Sequence, residues 1–174
     1  EDGIINDKDR YIHKDPYADI TMGFNTYFRY KNWDLAASAR ANIGNYVYNN
    51  TASAKGYSRK ATGNGQNYLS NVHRDFYNTG FVNITESNLL SDHYIEDASF
   101  LRLDNATLGY KFNLNDKKYF KQARLYMTGQ NLFTITDYTG VDPEVSLGGL
   151  APGIDNRNYY PRTRSFILGV NLSF

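Results

Sequence analysis

Five segments of the sequence alternate apolar and polar side chains over roughly 9 to 13 residues, whereas strands of soluble proteins usually have about 5 to 6. Since successive side chains of a strand point to opposite faces, such alternation gives one apolar face and one polar face. Tilted strands that cross a bilayer have this length and pattern. In the last and clearest segment the apolar face comprises Phe166, Leu168, Val170, Leu172 and Phe174.

The connections between these segments alternate in length. We predict strands near 20–30, 33–45, 97–112, 121–134 and 162–174, with short turns at 31–32 and 113–120 and long loops near 46–96 and 135–161. Membrane barrels have short turns at one end and long loops at the other. If the last strand ends at the periplasmic side, both long loops lie outside the cell.

Aromatic residues lie near the short turns, as expected for the girdle of a membrane barrel at the lipid–water interface. The sequence therefore predicts an all-β fold, an antiparallel transmembrane β-barrel. A soluble β-sandwich is the alternative, because its strands alternate in the same way. The girdle residues are Phe28, Tyr30, Trp33, Tyr110, Phe112, Tyr119, Phe120 and Phe174.

Composition removes several classes of function. The formal net charge of +1 argues against a nucleic-acid-binding surface. The absence of cysteine excludes disulfide scaffolds, thiolate metal sites and cysteine nucleophiles. His13, His73 and His93 have neither metal-ligand spacing nor a nucleophile arrangement around them, so we expect no enzyme.

Four cations lie on the polar faces of the predicted strands. These are Arg29, Arg40, Lys111 and Arg124. They either steer a solute through a lumen or pair with carboxylates on neighbouring strands or on an enclosed plug. Because unpaired charges inside a membrane are costly, we favour pairing. The long loops are rich in Tyr, Asn, Gly and Ser, a composition that suits sugar or peptide binding and is also ordinary for surface loops.

The first residues fit the second half of a calcium loop of the type D-x-[DN]-x-D-G-x-I-x-x-x-[DE]. Asp2 would supply loop position five, the carbonyl of Ile4 position seven, Asn6 position nine and Asp9 position twelve, and all are oxygen donors suited to Ca²⁺. The alternative is a turn without metal. The first two ligands would precede residue 1, so we expect the chain to be a fragment of a longer protein.

Several motifs, in one order along the chain, resemble the C-terminal end of SusC/RagA-type TonB-dependent outer-membrane transporters of the Bacteroidetes. The resemblance covers nearly the whole chain except about 47–96. Its motifs are Asp2-Gly3-Ile4-Ile5-Asn6-Asp7-Lys8-Asp9-Arg10, Thr21-Met22-Gly23-Phe24-Asn25, Asp97-Ala98-Ser99-Phe100-Leu101-Arg102-Leu103, Leu108-Gly109-Tyr110, Gly129-Gln130-Asn131-Leu132-Phe133-Thr134, Gly140-Val141-Asp142-Pro143-Glu144 and Tyr160-Pro161-Arg162-Thr163-Arg164.

The resemblance implies that residues 1–174 form about five C-terminal strands of a 22-stranded barrel closed around an N-terminal plug. It implies a SusD-like lipoprotein lid, energy from TonB through the missing N-terminal part, and import of glycans or, in RagA-like members, of oligopeptides. Phe174 resembles the C-terminal aromatic recognised during barrel assembly. The alternative from another class is a structural or adhesive surface β-protein, and an outer-membrane enzyme barrel is the weakest reading.

Overall fold

A computed structural model describes residues 10–56, 72–73, 91–114, 121–145, 152–155 and 159–174. Its main feature is one antiparallel sheet of five long strands in the order β1-β2-β5-β6-β7. The all-β antiparallel fold predicted from the alternation is confirmed. The strands of this sheet are β1 Ile20–Tyr30, β2 Trp33–Ile43, β5 Phe100–Asn113, β6 Gln122–Thr136 and β7 Ser165–Ser173.

Local backbone chemistry sets the strand ends. The hairpin between β1 and β2 turns at Lys31, whose φ of 52° lies in the left-handed region. β2 ends at Ile43 rather than 45, because Gly44 has a φ of 88°. The strand predicted near 97–112 corresponds to β5, which begins at Phe100 because the Asp97 carboxylate accepts a hydrogen bond from the backbone N–H of Ser99 (2.8 Å).

The two faces of the sheet differ as the alternation predicts. Residues directly opposite one another in the register share a face, so the pair Phe24 and Ala39 defines the apolar face and the pair Asn25 and Ser38 the polar face. Phe24 is 63% exposed and Leu168 is 72% exposed, and no second sheet covers them within the described residues. In a soluble sandwich a second sheet would cover this face.

A bulge in β5 reverses the alternation. Leu103 and Asn105 lie opposite the adjacent residues Ala39 and Ser38 of β2, which leaves Asp104 as an extra residue in the pairing of β5 with β2. Asn105 and Arg102 consequently lie on the same polar face, although they are three positions apart. Without the bulge, Arg102 would point to the apolar side of the sheet.

Small elements connect the long strands at the end of the sheet opposite the β1–β2 turn, here called the loop end. They are β3 Tyr46–Tyr48, helix α1 Asn50–Lys55, a 3₁₀ turn Asp92–Tyr94 and β4 Ile95–Asp97. β3 pairs with β4, so the predicted long loop 46–96 contains structure of its own. A small core forms here from Val47, Ala98, Tyr138 and Val145. In the described part of the chain, no helix has the length and hydrophobicity needed to cross a membrane.

Candidate functional site

Six charged side chains meet on the polar face at the loop end, and we call them the loop-end charge cluster. Two strands, the bulge and two loop segments bring them together. Three are cations and three are carboxylates, so the cluster is formally neutral. Its members are Arg40 of β2, Arg102 and Asp104 of β5, Asp142 and Glu144 of the segment after β6, and Arg162 of the segment before β7.

Arg102 is the buried centre of the cluster. Its Nη2 donates to Oδ1 of Asp142 (2.7 Å) and its Nη1 donates to Oε2 of Glu144 (2.6 Å). The side chains of Arg102, Asp142 and Glu144 are only 3%, 5% and 6% exposed. Charge-assisted bonds of this kind are short and directional, and they bind the segment after β6 to the wall of the sheet.

Two more exposed arginines complete the cluster. Arg40 donates two hydrogen bonds to Glu144 (2.6 and 2.9 Å) and two from Nε to Asp104 (3.1 and 3.0 Å). Arg162 approaches Asp142 at 3.4 Å and Glu144 at 3.2 Å, and its side chain is 39% exposed. Every carboxylate therefore faces at least one guanidinium, so the cluster has the chemistry of a structural fastening.

A shallow cavity of about 270 Å³ adjoins this cluster. Arginine, threonine, proline and phenylalanine residues are among those that line it. Such a mixture can accommodate a small polar group at the rim of the sheet. The lining includes Arg102, Thr134, Thr136, Phe133, Pro161 and Arg164.

A second ion pair lies on the polar face toward the β1–β2 turn. Arg124 of β6 reaches across β5 to Asp34 of β2, with Nε to Oδ1 at 2.9 Å and Nη2 to Oδ2 at 2.5 Å. Gly109 of β5 makes this possible, because a Cβ there would lie 2.5 Å from Nη2 of Arg124. The guanidinium of Arg124 also stacks over the ring of Tyr126, 5.1 Å from its centroid.

A buried carboxylate supports the loop-end core. Asp155 is 1% exposed and accepts a hydrogen bond from the hydroxyl of Tyr138 (3.1 Å). Burial raises the pKa of the Asp155 carboxyl above its ordinary value, since desolvation disfavours the charged form. Burial, together with the nearby charge of Asp155, likewise raises the pKa of Tyr138. This pair is a polar element of the loop core.

Sequence reasoning predicted some of the charged residues of the polar face and missed others. Arg40 and Arg124 pair with carboxylates of other strands, which confirms the favoured explanation for these two cations. For Arg29 and Lys111 the structure shows no ion pair among the described residues. Arg102 and Arg162 went unrecognised as charge-cluster members, although both lie in the family-like motifs, because their carboxylates are distant in sequence. The sequence signal that could have indicated the cluster is the combination of Arg102 in one motif with two closely spaced carboxylates, Asp142 and Glu144, in another.

The other predicted site residues receive no structural test. Asp2, Ile4, Asn6 and Asp9, the predicted half of a calcium loop, lie outside the described residues. Within the described ranges, no group of three or more His, Asp or Glu side chains is arranged to hold a metal ion. Phe174 follows β7 directly and its side chain is 75% exposed.

Comparison with known proteins gives consistent matches. No family model matches the chain. It is 40% identical over 175 residues to the TonB-dependent receptor SusC of Bacteroides thetaiotaomicron, covering 99% of this chain and 17% of that protein. It is 34% identical over 189 residues to the TonB-dependent receptor P3 of Formosa agariphila, covering 99% of this chain and 18% of that protein.

Solved structures show the same likeness. The structure of the RagAB peptide importer in its closed-closed state matches with a TM-score of 0.73 and 26% identity, over 99% of this chain and 20% of that chain. A second structure of the RagAB peptide transporter matches with a TM-score of 0.73 and 28% identity, over 94% of this chain and 18% of that chain. The chain thus spans about a fifth of the length of its relatives, between 17% and 20%.

Proposed function

The chain belongs to the SusC/RagA-type TonB-dependent receptors, and we propose that it forms part of the barrel wall of an active importer in the outer membrane. The observation that carries this proposal is 40% identity to SusC over 99% of the chain. The sheet agrees with it, because a wall between lipid and lumen needs one apolar and one polar face. The relatives are receptors and importers, which confirms the prediction that the chain is not an enzyme.

In the proposed arrangement, the loop end is extracellular and the C-terminus is periplasmic. Strands β1 and β7 form the two edges of the described sheet, and such edges do not stay unpaired in a membrane. We therefore place the remaining strands of a 22-stranded plugged barrel on either side of this sheet. The rest of the receptor would also provide the plug and the contact with TonB.

We propose glycans, namely oligosaccharides, as the imported cargo, captured together with a SusD-like lipoprotein. Exposed tyrosine rings at the loop end support this, because flat aromatic faces stack on sugar rings. Tyr11, Tyr17 and Tyr160 are 64%, 61% and 78% exposed. Oligopeptides are the second candidate, and the specific observation that favours them is the match to the RagAB peptide importer.

Uptake by the full-length receptor tests this proposal. A strain that lacks the receptor gene is compared with the same strain complemented by the wild-type gene, on oligosaccharide mixtures and on oligopeptide mixtures. Receptor-dependent growth on oligosaccharides alone supports the glycan proposal, and growth on peptides alone supports the second candidate. If neither mixture is taken up in a receptor-dependent way, the result contradicts the import proposal and favours a structural or adhesive surface protein. Co-purification of a lipoprotein with the tagged receptor tests the lid.

The calcium site remains a proposal for Asp2, Ile4, Asn6 and Asp9. Each offers a hard oxygen ligand with the spacing of a calcium loop. If the site binds Ca²⁺, the full-length Asp9→Ala variant loses bound calcium, measured by elemental analysis after dialysis. An unchanged calcium content would contradict the assignment.

We also propose Phe174 as a barrel assembly signal. Deletion of this residue in the full-length receptor is expected to lower the amount of folded barrel in the outer membrane. Heat-modifiable migration on gels measures the folded fraction. The matched Phe174→Tyr variant keeps an aromatic ring at the position and should assemble normally, whereas normal levels of folded barrel without any aromatic there would contradict the role.

A further inference from the structure

The cavity beside the loop-end charge cluster borders the polar face of the sheet. Two of its lining residues, Arg102 of β5 and Thr134 of β6, lie directly opposite one another in the register, and Thr136 lies on the same face. In the proposed barrel this face borders the lumen, and the loop end is extracellular. The cavity is therefore placed where cargo enters the barrel.

Cations outnumber carboxylates in the lining of this cavity. Arg102, Arg162 and Arg164 line it, whereas Asp142 is the single carboxylate among the described residues around it. Both oxygens of Asp142 already face cations, because Oδ1 accepts a hydrogen bond from Arg102 (2.7 Å) and Oδ2 lies 3.4 Å from Nε of Arg162. Arg164 is exposed and forms no ion pair within the described part of the chain. Since the charge cluster is itself neutral, the positive charge of Arg164 is left over.

A buried hydrogen-bond donor at the same place lacks an acceptor. The side chain of Arg102 is only 3% exposed, and its Nε has no hydrogen-bond partner among the described residues. Its two Nη atoms donate to Asp142 and Glu144. A buried donor without a partner is costly, above all on a charged group. An anionic oxygen in the cavity would remove this cost, because charge-assisted hydrogen bonds are the stronger kind.

The uncharged part of the lining suits a sugar ring. Thr134 and Thr136 have hydroxyl groups that can both donate and accept hydrogen bonds, as the hydroxyls of a sugar require. Phe133 and Pro161 add apolar surface for the C–H face of the ring. Pockets for small molecules measure about 300 to 1,000 Å³. At about 270 Å³ the cavity therefore matches one sugar unit and not a longer stretch of an oligosaccharide.

We propose that this cavity binds the carboxylate of an acidic sugar unit, a uronic acid, within the imported oligosaccharide. The carboxylate pairs with Arg164 and accepts a hydrogen bond from Nε of Arg102, while Thr134 and Thr136 bond to the hydroxyls of the same unit. This assignment rests on the proposed import of glycans and narrows it to acidic ones. Acidic oligopeptides carry the same carboxylate chemistry and are the competing ligand.

A competition between matched oligosaccharides tests the proposal. Digests of uronic-acid-containing polysaccharides are divided in two, and in one half the carboxyl groups are reduced to hydroxymethyl groups, so that lengths and linkages stay equal. Both halves are applied together to the immobilised full-length receptor, and mass spectrometry measures the ratio retained. We expect the wild type to enrich the acidic form roughly tenfold, the low end for a hydrogen bond to a charged group, because Arg164 is exposed.

Substitutions of Arg164 assign the enrichment to this cavity. Arg164→Gln removes the uncompensated charge and should abolish the enrichment, whereas Arg164→Lys keeps the charge and should preserve most of it. Lys55→Gln removes another exposed cation at the loop end and should leave the enrichment unchanged. All three variants should show the wild-type folded fraction on heated gels, because both side chains are exposed.

Several results would overturn the assignment, and they separate it from glycan import itself. Equal retention of both forms by the wild type contradicts an acidic subsite and leaves import of neutral glycans standing. Enrichment that survives in Arg164→Gln places the acid-binding site elsewhere. Retention of acidic oligopeptides over the same peptides with amidated carboxyl groups, without enrichment of acidic sugars, identifies a peptide ligand. If no oligosaccharide is retained, the subsite is wrong, and receptor-dependent growth on oligosaccharides shows whether glycan import fails with it.

Discussion

Replacing Arg102 by methionine is the most direct test of the loop-end charge cluster. Methionine keeps an unbranched apolar stem of similar length, so packing is largely retained while the charge is removed. The change leaves two carboxylates, of Asp142 and Glu144, buried beside the sheet without their central cation. Other cluster members still contact them: Arg40 and Arg162 both contact Glu144, and Arg162 contacts Asp142.

The expected loss follows from burial and from these residual contacts. Removing one partner of a buried ion pair costs roughly 3 to 5 kcal/mol. We take the low end, about 3 kcal/mol, because both carboxylates keep another guanidinium and because Nε of Arg102 is buried with no hydrogen-bond partner among the described residues. At about 1.4 kcal/mol per tenfold change, local opening of the segment after β6 should become roughly 100-fold more frequent.

Hydrogen exchange of the full-length receptor, followed by mass spectrometry, measures this opening. The reporter amides are those of Glu144 and Val145, which donate to Oδ1 of Asp142 (2.9 Å) and to the carbonyl of Asp142 (3.2 Å). The control is Arg162→Met, because Arg162 is 39% exposed and its contacts are longer, so its loss should cost under about 1 kcal/mol.

The exchange rates of the two variants together show whether Arg102 holds the loop-end segment in place. Faster exchange confined to the loop-end segment in Arg102→Met, with unchanged exchange of β6, supports a local fastening. Equal exchange rates in Arg102→Met, Arg162→Met and the wild type would refute the reasoning. Fast exchange throughout the sheet would show that Arg102 is needed for the fold and not specifically for the loop.

Two further substitutions give sharp expectations. Gly109→Ala places a Cβ 2.5 Å from Nη2 of Arg124, so it should displace the ion pair and lower the unfolding temperature of the folded barrel on heated gels; Gly23→Ala, with no atom within 4 Å of its Cβ, is the control. Asp155→Asn should slow local exchange at residues 152–155 at pH 7, because a carboxyl whose pKa is raised by burial destabilises the fold once ionised. Below the ordinary pKa of aspartate the side chain of residue 155 is neutral in both the wild type and the variant, so their exchange rates should become equal. Slower exchange of the variant at that low pH would show that ionisation of Asp155 is not the reason.

The periodic part of the fold follows from the sequence. The alternation in β1, β2 and β7 continues without interruption, so the face of each residue can be read from its position in the run. Strand ends are less predictable, because they depend on single residues. Gly44 ends β2 through its left-handed backbone, and the Asp97 carboxylate turns the chain before β5 through the N–H of Ser99.

The charge cluster illustrates what the pattern leaves out. Strict alternation from Asn105 backward would place Arg102 toward the apolar side and Leu103 toward the polar side. Because Asp104 is an extra residue, Arg102 lies on the polar face and Leu103 on the apolar face. The Asp104 carboxylate also accepts a hydrogen bond from Arg40. A bulge adds one residue to one strand of a pair, so strict alternation along that strand does not predict it. The carboxylate partners lie 40 and 42 residues beyond Arg102, in a segment with no periodic signal.

Four of the six members of the charge cluster lie in the recognisable motifs. Arg102 lies in the motif 97–103, Asp142 and Glu144 in 140–144, and Arg162 in 160–164, and all meet in one network. These four residues therefore hold the segment after β6 against the sheet. We therefore propose that residues outside these motifs contribute to cargo choice, among them the loop 46–96, most of which lacks a family pattern. We expect exchange of that loop between relatives to move cargo preference while the cluster stays intact, as uptake assays on the chimaeras would show.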